Sequence, residues 1–182
     1  MVLRIFRFSW IVFLFSSSFM FSQDIMETGQ NDIYQKKVQK IVSKTFNLDG
    51  LTYNNINLPD SIKREIGNSH LEGSFVSLHL NDSIIAYYVI TSARGRFDYF
   101  DFLIIYNREL FVKKIEILEY RSDHGYQIAN KKWLSQFYGI KGCELNYPKD
   151  IDAISGASIS ANSITEKVDQ LCKLLFIMID SD

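Results

Sequence analysis

The chain has little that would tie it to nucleic acid, a metal ion or a dense disulfide framework. Its 20 basic and 21 acidic residues nearly cancel, leaving a formal net charge of −1. No bulk positive surface is present to hold a nucleic acid backbone, so nucleic acid is not expected as a partner. Two cysteines in 182 residues are too few for a scaffold built on crosslinks. Neither precedes Cys143, which removes a lipid-modified N-terminal cysteine. His70, His79 and His124 lie far apart, without a second ligand at helical or strand spacing, so no metal site is expected. No G-x-S-x-G elbow exists, which leaves a serine hydrolase little support. Internal repeats and low-complexity tracts are also missing. What is present, 47% apolar and 23% charged residues, excludes both a disordered chain and a polytopic membrane protein.

The aromatic residues are unevenly spread. Seven of the 26 fall before residue 22: Phe6, Phe8, Trp10, Phe13, Phe15, Phe19 and Phe21. Arg4 and Arg7 precede an uncharged run from Phe8 to Phe21. That run is shorter than the roughly 20 apolar residues of a spanning helix. Residues 1–22 are therefore read as a signal peptide, with an uncleaved signal anchor as the alternative. Ser22 is the small residue before the expected cut. Without this segment the chain keeps 18 basic and 21 acidic residues, a net charge of −3.

Residues 23–70 read as an N-terminal helical and loop region, and residues 71–182 as the main domain. From Tyr34 to Phe46, the positions Val38, Ile41, Val42 and Phe46 keep helical spacing. Residues 47–58 read as loop, and Asp60 as the cap of a short helix over Ser61–Ile66. Phe75 to Thr91, with Asn81-Asp82 at its turn, predicts a β-hairpin. A second hairpin is predicted from Phe97–Tyr106 and Leu110–Tyr120. The alternation Ile115-Glu116-Ile117 suits a sheet with one wet face. Gln127–Tyr138 predicts a helix with Ile128, Trp133, Leu134 and Phe137 inward, and Gly139 at its end. Residues 141–151 read as loop. A last helix is expected from Ser158 or Ser160, with the amphipathic stripe Ile164, Val168, Leu171 and Leu175. The fold class is therefore α+β: an antiparallel sheet of about four or more strands, flanked by helices. Asp98 and Asp101 are read as solvated strand residues. Cys143 and Cys172 could form one bridge, but a buried Cys172 thiol is at least as good a reading.

The chemistry concentrates in Asp152-Ala153-Ile154-Ser155-Gly156-Ala157-Ser158-Ile159-Ser160, a small-residue loop feeding a helix. Gly156 and Ala157 let backbone approach a ligand closely. Free amides and the positive dipole end favour a phosphate, and Ser155, Ser158 and Ser160 add hydroxyl donors. The bland alternative is that one serine merely caps the helix.

The pattern Asp152-x-x-Ser155-Gly156-Ala157-Ser158 resembles the flavinylation motif of the FMN-binding domain family. That family includes the C subunit of the sodium-pumping NADH:quinone reductase and the G subunit of the Rnf complex. The loop Tyr120-Arg121-Ser122-Asp123-His124-Gly125-Tyr126-Gln127-Ile128 is similar to the segment upstream of that motif, where Arg-Glu-Ser-His-Gly-Tyr-Glu-Ile is usual, so an acid has moved by a position or been replaced. Trp133–Gly139 also resembles the family's helix ending in Gln-Phe-x-Gly, and the likeness covers roughly residues 72–175. The resemblance implies FMN attached covalently by a flavin transferase that uses FAD. It implies a phosphoester to Ser158, where the family usually has Thr, and a membrane redox partner. It places Asp152, Ser155, Gly156 and Ala157 around the cofactor, and Ser160 is expected to join them as a hydroxyl donor of the helix start. His124 or Tyr126 is expected to line the ring, with Gly125 permitting close approach.

The expected function is an exported electron carrier, periplasmic or on the extracytoplasmic face of the membrane, rather than an independent enzyme. The alternative from the same residues is a binding or interaction module of this fold without flavin. Serine in place of threonine, and the altered upstream loop, favour that alternative.

Overall fold

Both faces of the central strands are apolar, and that pattern sets the architecture. The computed structural model describes residues 34–59, 62, 73–141 and 143–180. Expectations for the signal segment and, apart from Ile62, for the Asp60-capped helix lie outside the described residues. The chain divides into two units, Met1–Ile41 and Val42–Asp182. Helix α1, residues 34–46, begins in the first unit; it buries Val38 and Val42 and half-buries Ile41 and Phe46.

Five strands follow: β1 (Thr52–Asn55), β2 (Gly73–Leu80), β3 (Ser83–Arg94), β4 (Tyr99–Asn107) and β5 (Val112–Tyr120). They pair antiparallel in sequence order. The β2–β3 turn places Asn81 and Asp82 at φ of 50° and 64°, the left-handed pair that a two-residue hairpin needs. At the β4–β5 turn the Asn107 carboxamide accepts from the Phe111 amide at 2.7 Å. Strand β1 corrects the reading of residues 47–58 as loop. Thr52-Tyr53-Asn54-Asn55 has a weak strand signal of its own, and pairing with β2, Tyr53 opposite Leu78, makes it an edge strand.

The pairing of β5 with β4 slips between Asp101 and Phe102, leaving Leu118 as an extra residue. Ile115 and Ile117 face Ile104 and Phe102, as alternation predicts. Beyond the bulge the pleat is reset, so Tyr120 rather than Glu119 shares their face, opposite Phe100. This one-residue offset later positions a side chain in the cleft.

The predicted helix over Gln127–Tyr138 is three short pieces. A 3₁₀ turn (Tyr126–Ala129), helix α2 (Lys131–Leu134) and a second 3₁₀ turn (Ser135–Phe137) follow one another. Asn130 makes the break: its backbone is extended at ψ 119°, and its side chain caps the amides of Lys132 and Trp133. The inward set is unchanged, with Ile128, Trp133, Leu134 and Phe137 all buried. Trp133 and Phe137 meet edge to face at 5.6 Å, as core residues.

Helix α3 (Ser158–Asp180) covers one face of the sheet. Its stripe of Ile164, Val168, Leu171 and Leu175 is fully buried, each side chain contributing about 2 kcal/mol by area. The buried Tyr106 hydroxyl donates to the Val168 carbonyl at 3.1 Å, and burial raises its pKa well above the ordinary value. On the opposite face Val76, Tyr88, Leu103 and Ile105 are also buried. Burial, with Tyr53 adding to it, pushes the Tyr88 hydroxyl up to about 12.

Cys143 and Cys172 form a disulfide, which replaces the buried-thiol reading. It ties the loop before α3 to the middle of that helix. Asp169 reinforces the tie by accepting from the amides of Glu144 and Leu145 at 2.5 and 3.3 Å. The bridge spans a sequence separation of 29. Reduction, or Cys143→Ala, is expected to lower stability by about 3–4 kcal/mol through the freed chain entropy of the unfolded state. Urea titrations of oxidised and reduced protein measure this. Coincident curves would show that the hydrogen bonds to Asp169, not the bridge, hold the loop.

Candidate functional site

The start of α3 is prepared by two hydrogen bonds to the backbone of Asp152. The Trp133 indole donates to its carbonyl at 2.8 Å, and its amide donates to Gln136 Oε1 at 2.9 Å. The chain then turns at Gly156, whose φ is +81°. A side chain there would meet Gln127 at 3.2 Å. Ala157 is buried and its carbonyl accepts from the Ala161 amide at 2.9 Å, which makes it the cap residue. Ser158 is then the first helical residue, and its side chain is exposed. The amides of this first turn have no i−4 carbonyl inside the helix, and the positive dipole end lies with them.

Two other segments converge on this helix start. In the β3–β4 turn the Gly95 amide donates to the Asp98 carbonyl at 2.8 Å. The Arg94 amide donates to Ser163 Oγ at 2.8 Å, which fastens the end of β3 to α3. The loop after β5 brings Gly125, at φ +92°, against the Tyr120 hydroxyl. Tyr120 Oη lies 2.9 Å from the His124 carbonyl and 2.8 Å from Ser160 Oγ. A carbonyl can only accept, so the single phenol proton goes to His124, and Ser160 must donate to Tyr120.

Between these segments lies an open cleft of about 320 Å³, lined by Arg96, Gly125 and Gly156 through Ser160. Of the residues expected from the sequence, Gly125, Gly156, Ala157, Ser158 and Ser160 are on its wall. Ser160 is only 1% exposed, and its proton is committed to Tyr120. His124 and Tyr126 flank Gly125 without lining the cleft. The His124 ring packs on Phe97 at 5.3 Å, and Tyr126 meets Tyr120 edge-on at 6.0 Å. Asp152 and Ser155 are exposed and lie off the wall, and Asp152 contributes through its backbone.

The sequence reading missed Arg96, and it placed Tyr120 at the start of the upstream loop without giving its side chain a role. Arg96 is in a turn between two hairpins, and nothing in its neighbourhood points to residue 158. Its guanidinium lies 5.2 Å over the Phe97 ring, beside the cleft. The expectation for Asp101 is also corrected. It is an ion-pair partner of Arg121 and accepts from Ser92 Oγ at 2.6 Å, so it is not a freely solvated strand residue. Arg121, which also pairs with Glu119, thereby ties the start of the loop to the sheet.

Residues 100–173 match the model of a family described as the FMN-binding domain. This segment is similar to FMN-binding domains. No match is found among curated proteins. The matched segment runs from β4 into α3, so it contains the loop of Gly125 and the helix start, whereas Gly95 and Arg96 precede it. The cleft suits FMN by the chemistry of its donors. Helix amides, the Ser158 hydroxyl and the Arg96 guanidinium are the groups a phosphate takes. Phe97, Tyr126 and Ile159, each more than half exposed, give apolar surface nearby for a flat ring. FMN supplies reversible one- and two-electron chemistry, while the protein supplies placement and electrostatics.

Proposed function

We propose that this protein is an exported electron carrier whose FMN is joined through its phosphate to Ser158. The observation that carries this reading is the exposed Ser158 hydroxyl, on the first residue of α3 and in the same cleft wall as Arg96. In the transfer step Ser158 Oγ bonds to the FMN-side phosphorus of FAD. The pyrophosphate P–O bond to the adenylate breaks, AMP leaves, and the hydroxyl proton is released. The product is a phosphodiester with one negative charge, which the helix dipole and Arg96 offset. A flavin transferase supplies FAD and the catalytic groups.

Two features support export. Residues 1–22 have the pattern of a signal segment, and the disulfide suits an oxidising compartment. A covalent tether would then retain a cofactor that would otherwise be diluted. A membrane redox partner delivers or collects electrons at the exposed rim of the cleft. This protein passes electrons on and has no organic substrate of its own.

The test is co-expression with a flavin transferase, followed by denaturation. The expected result is a fluorescent band on the denaturing gel and an added mass of FMN less one water. An unlabelled chain beside an active transferase would overturn covalent loading and leave a flavin-free binding module of the same fold.

A further inference from the structure

The buried half of the cleft has a centre that the loading step does not itself use. We infer that the Tyr120 hydroxyl is a positioning group for flavin attachment, fixing the three walls of the cleft so that Ser158 Oγ is presented in one orientation. The inference rests on Ser158 being the attachment residue.

All three walls meet at this one oxygen. Tyr120 Oη donates to the His124 carbonyl and accepts from Ser160 Oγ, at 2.9 and 2.8 Å. A Cβ on Gly125 would lie 2.3 Å from it, and one on Gly95 would lie 3.3 Å away. The loop, the β3–β4 turn and the helix start are therefore packed onto a single atom. The ring below is held as well, stacked on buried Phe100 at 5.2 Å. Its place on this face comes from the bulge at Leu118, without which Glu119 would point here. Ser160 is two residues beyond Ser158 on the first turn of α3. Anchoring Ser160 inward fixes the rotation of that turn, and the rotation sets where Ser158 Oγ points. Transfer to a phosphorus needs that oxygen aligned with the bond being broken, and small misplacements slow such steps.

The test uses the full chain as acceptor for a flavin transferase with FAD, read by gel fluorescence over time. Tyr120→Phe keeps the stacked ring and removes only the hydroxyl. The expected loss is about tenfold or more in kcat for transfer, with KM for the acceptor changed less than about twofold. Ser160→Ala is expected to show a similar loss, and it carries the test should Tyr120→Phe fold poorly. The double variant should lose no more than the worse single one, because both remove the same bond. Melting curves determine the folded fraction for normalising each rate. A normalised kcat equal to wild type in both single variants overturns the positioning role, and so do losses that multiply in the double variant. Wild-type protein that takes no flavin overturns the attachment reading itself, which separates the two failures.

Discussion

Gly125→Ala is expected to lower stability by about 3 kcal/mol and to stop flavin loading. Two effects combine. The residue sits at φ +92°, where an L-residue is disfavoured by about 1–2 kcal/mol. The added methyl would also lie 2.3 Å from Tyr120 Oη and 3.0 Å from Ser160 Oγ. Neither neighbour can withdraw easily. The Tyr120 ring is stacked on Phe100, and Ser160 is in the buried part of the first turn of α3. The loop must move instead, which pulls the His124 carbonyl from Tyr120 and opens that wall of the cleft. Urea denaturation measures the stability change, and gel fluorescence after co-expression measures loading. The same substitution in a Tyr120→Phe background separates the two effects. With the hydroxyl gone the nearest ring atom is Tyr120 Cζ at 3.4 Å, so the loss should shrink to the backbone part, about 1–2 kcal/mol, plus whatever the remaining 3.0 Å approach to Ser160 Oγ adds. Equal losses in both backgrounds would show that the methyl does not meet Tyr120.

The contrast between Gly125 and its surroundings marks what a sequence can disclose. The Gly156 turn, the serines of the helix start and the stripe from Ile164 to Leu175 are local patterns, fixed by spacing within one element. Both hairpins were legible for the same reason, since Asn81-Asp82 and Asn107–Glu109 lie beside the strands they join. Burial in the 126–137 segment was legible although the continuous helix was not. Ile128, Trp133, Leu134 and Phe137 face inward whether the backbone is one helix or three pieces. Asn130 is a good cap in sequence, and here its capping of Lys132 and Trp133 wins over helix continuation. Strand β1 was not legible, because its stability comes from register with β2, a tertiary effect that outweighs the low strand propensity of Asn54 and Asn55. Tyr120 meets Ser160 across 40 residues, and only after a bulge that no local signal announces. The motif pointed to the residues that would carry the bond; the side chains that shape the cleft around them are known only from the fold.

Ser158→Ala is expected to abolish covalent flavin completely, and Ser158→Thr to retain it. Alanine removes the only atom that can form the ester and favours the helix, so stability should change by less than about 0.5 kcal/mol. A loss of label at unchanged stability then reports chemistry rather than folding. Threonine keeps the oxygen, and the exposed first position of α3 leaves its methyl in solvent. Two neighbouring hydroxyls compete for the assignment. Ser160 is excluded by geometry, being 1% exposed with its proton given to Tyr120. Ser155 is exposed but lies before the Gly156 turn, off the cleft wall. Only Ser158 combines access with the first turn, where the helix dipole favours negative charge developing on its oxygen as the proton leaves. Intact mass after co-expression decides among them. An adduct that survives Ser158→Ala and disappears in Ser155→Ala would keep the carrier and move the bond across the turn. That result would also mean that the dipole at the start of α3 is less important than access to the approaching phosphorus.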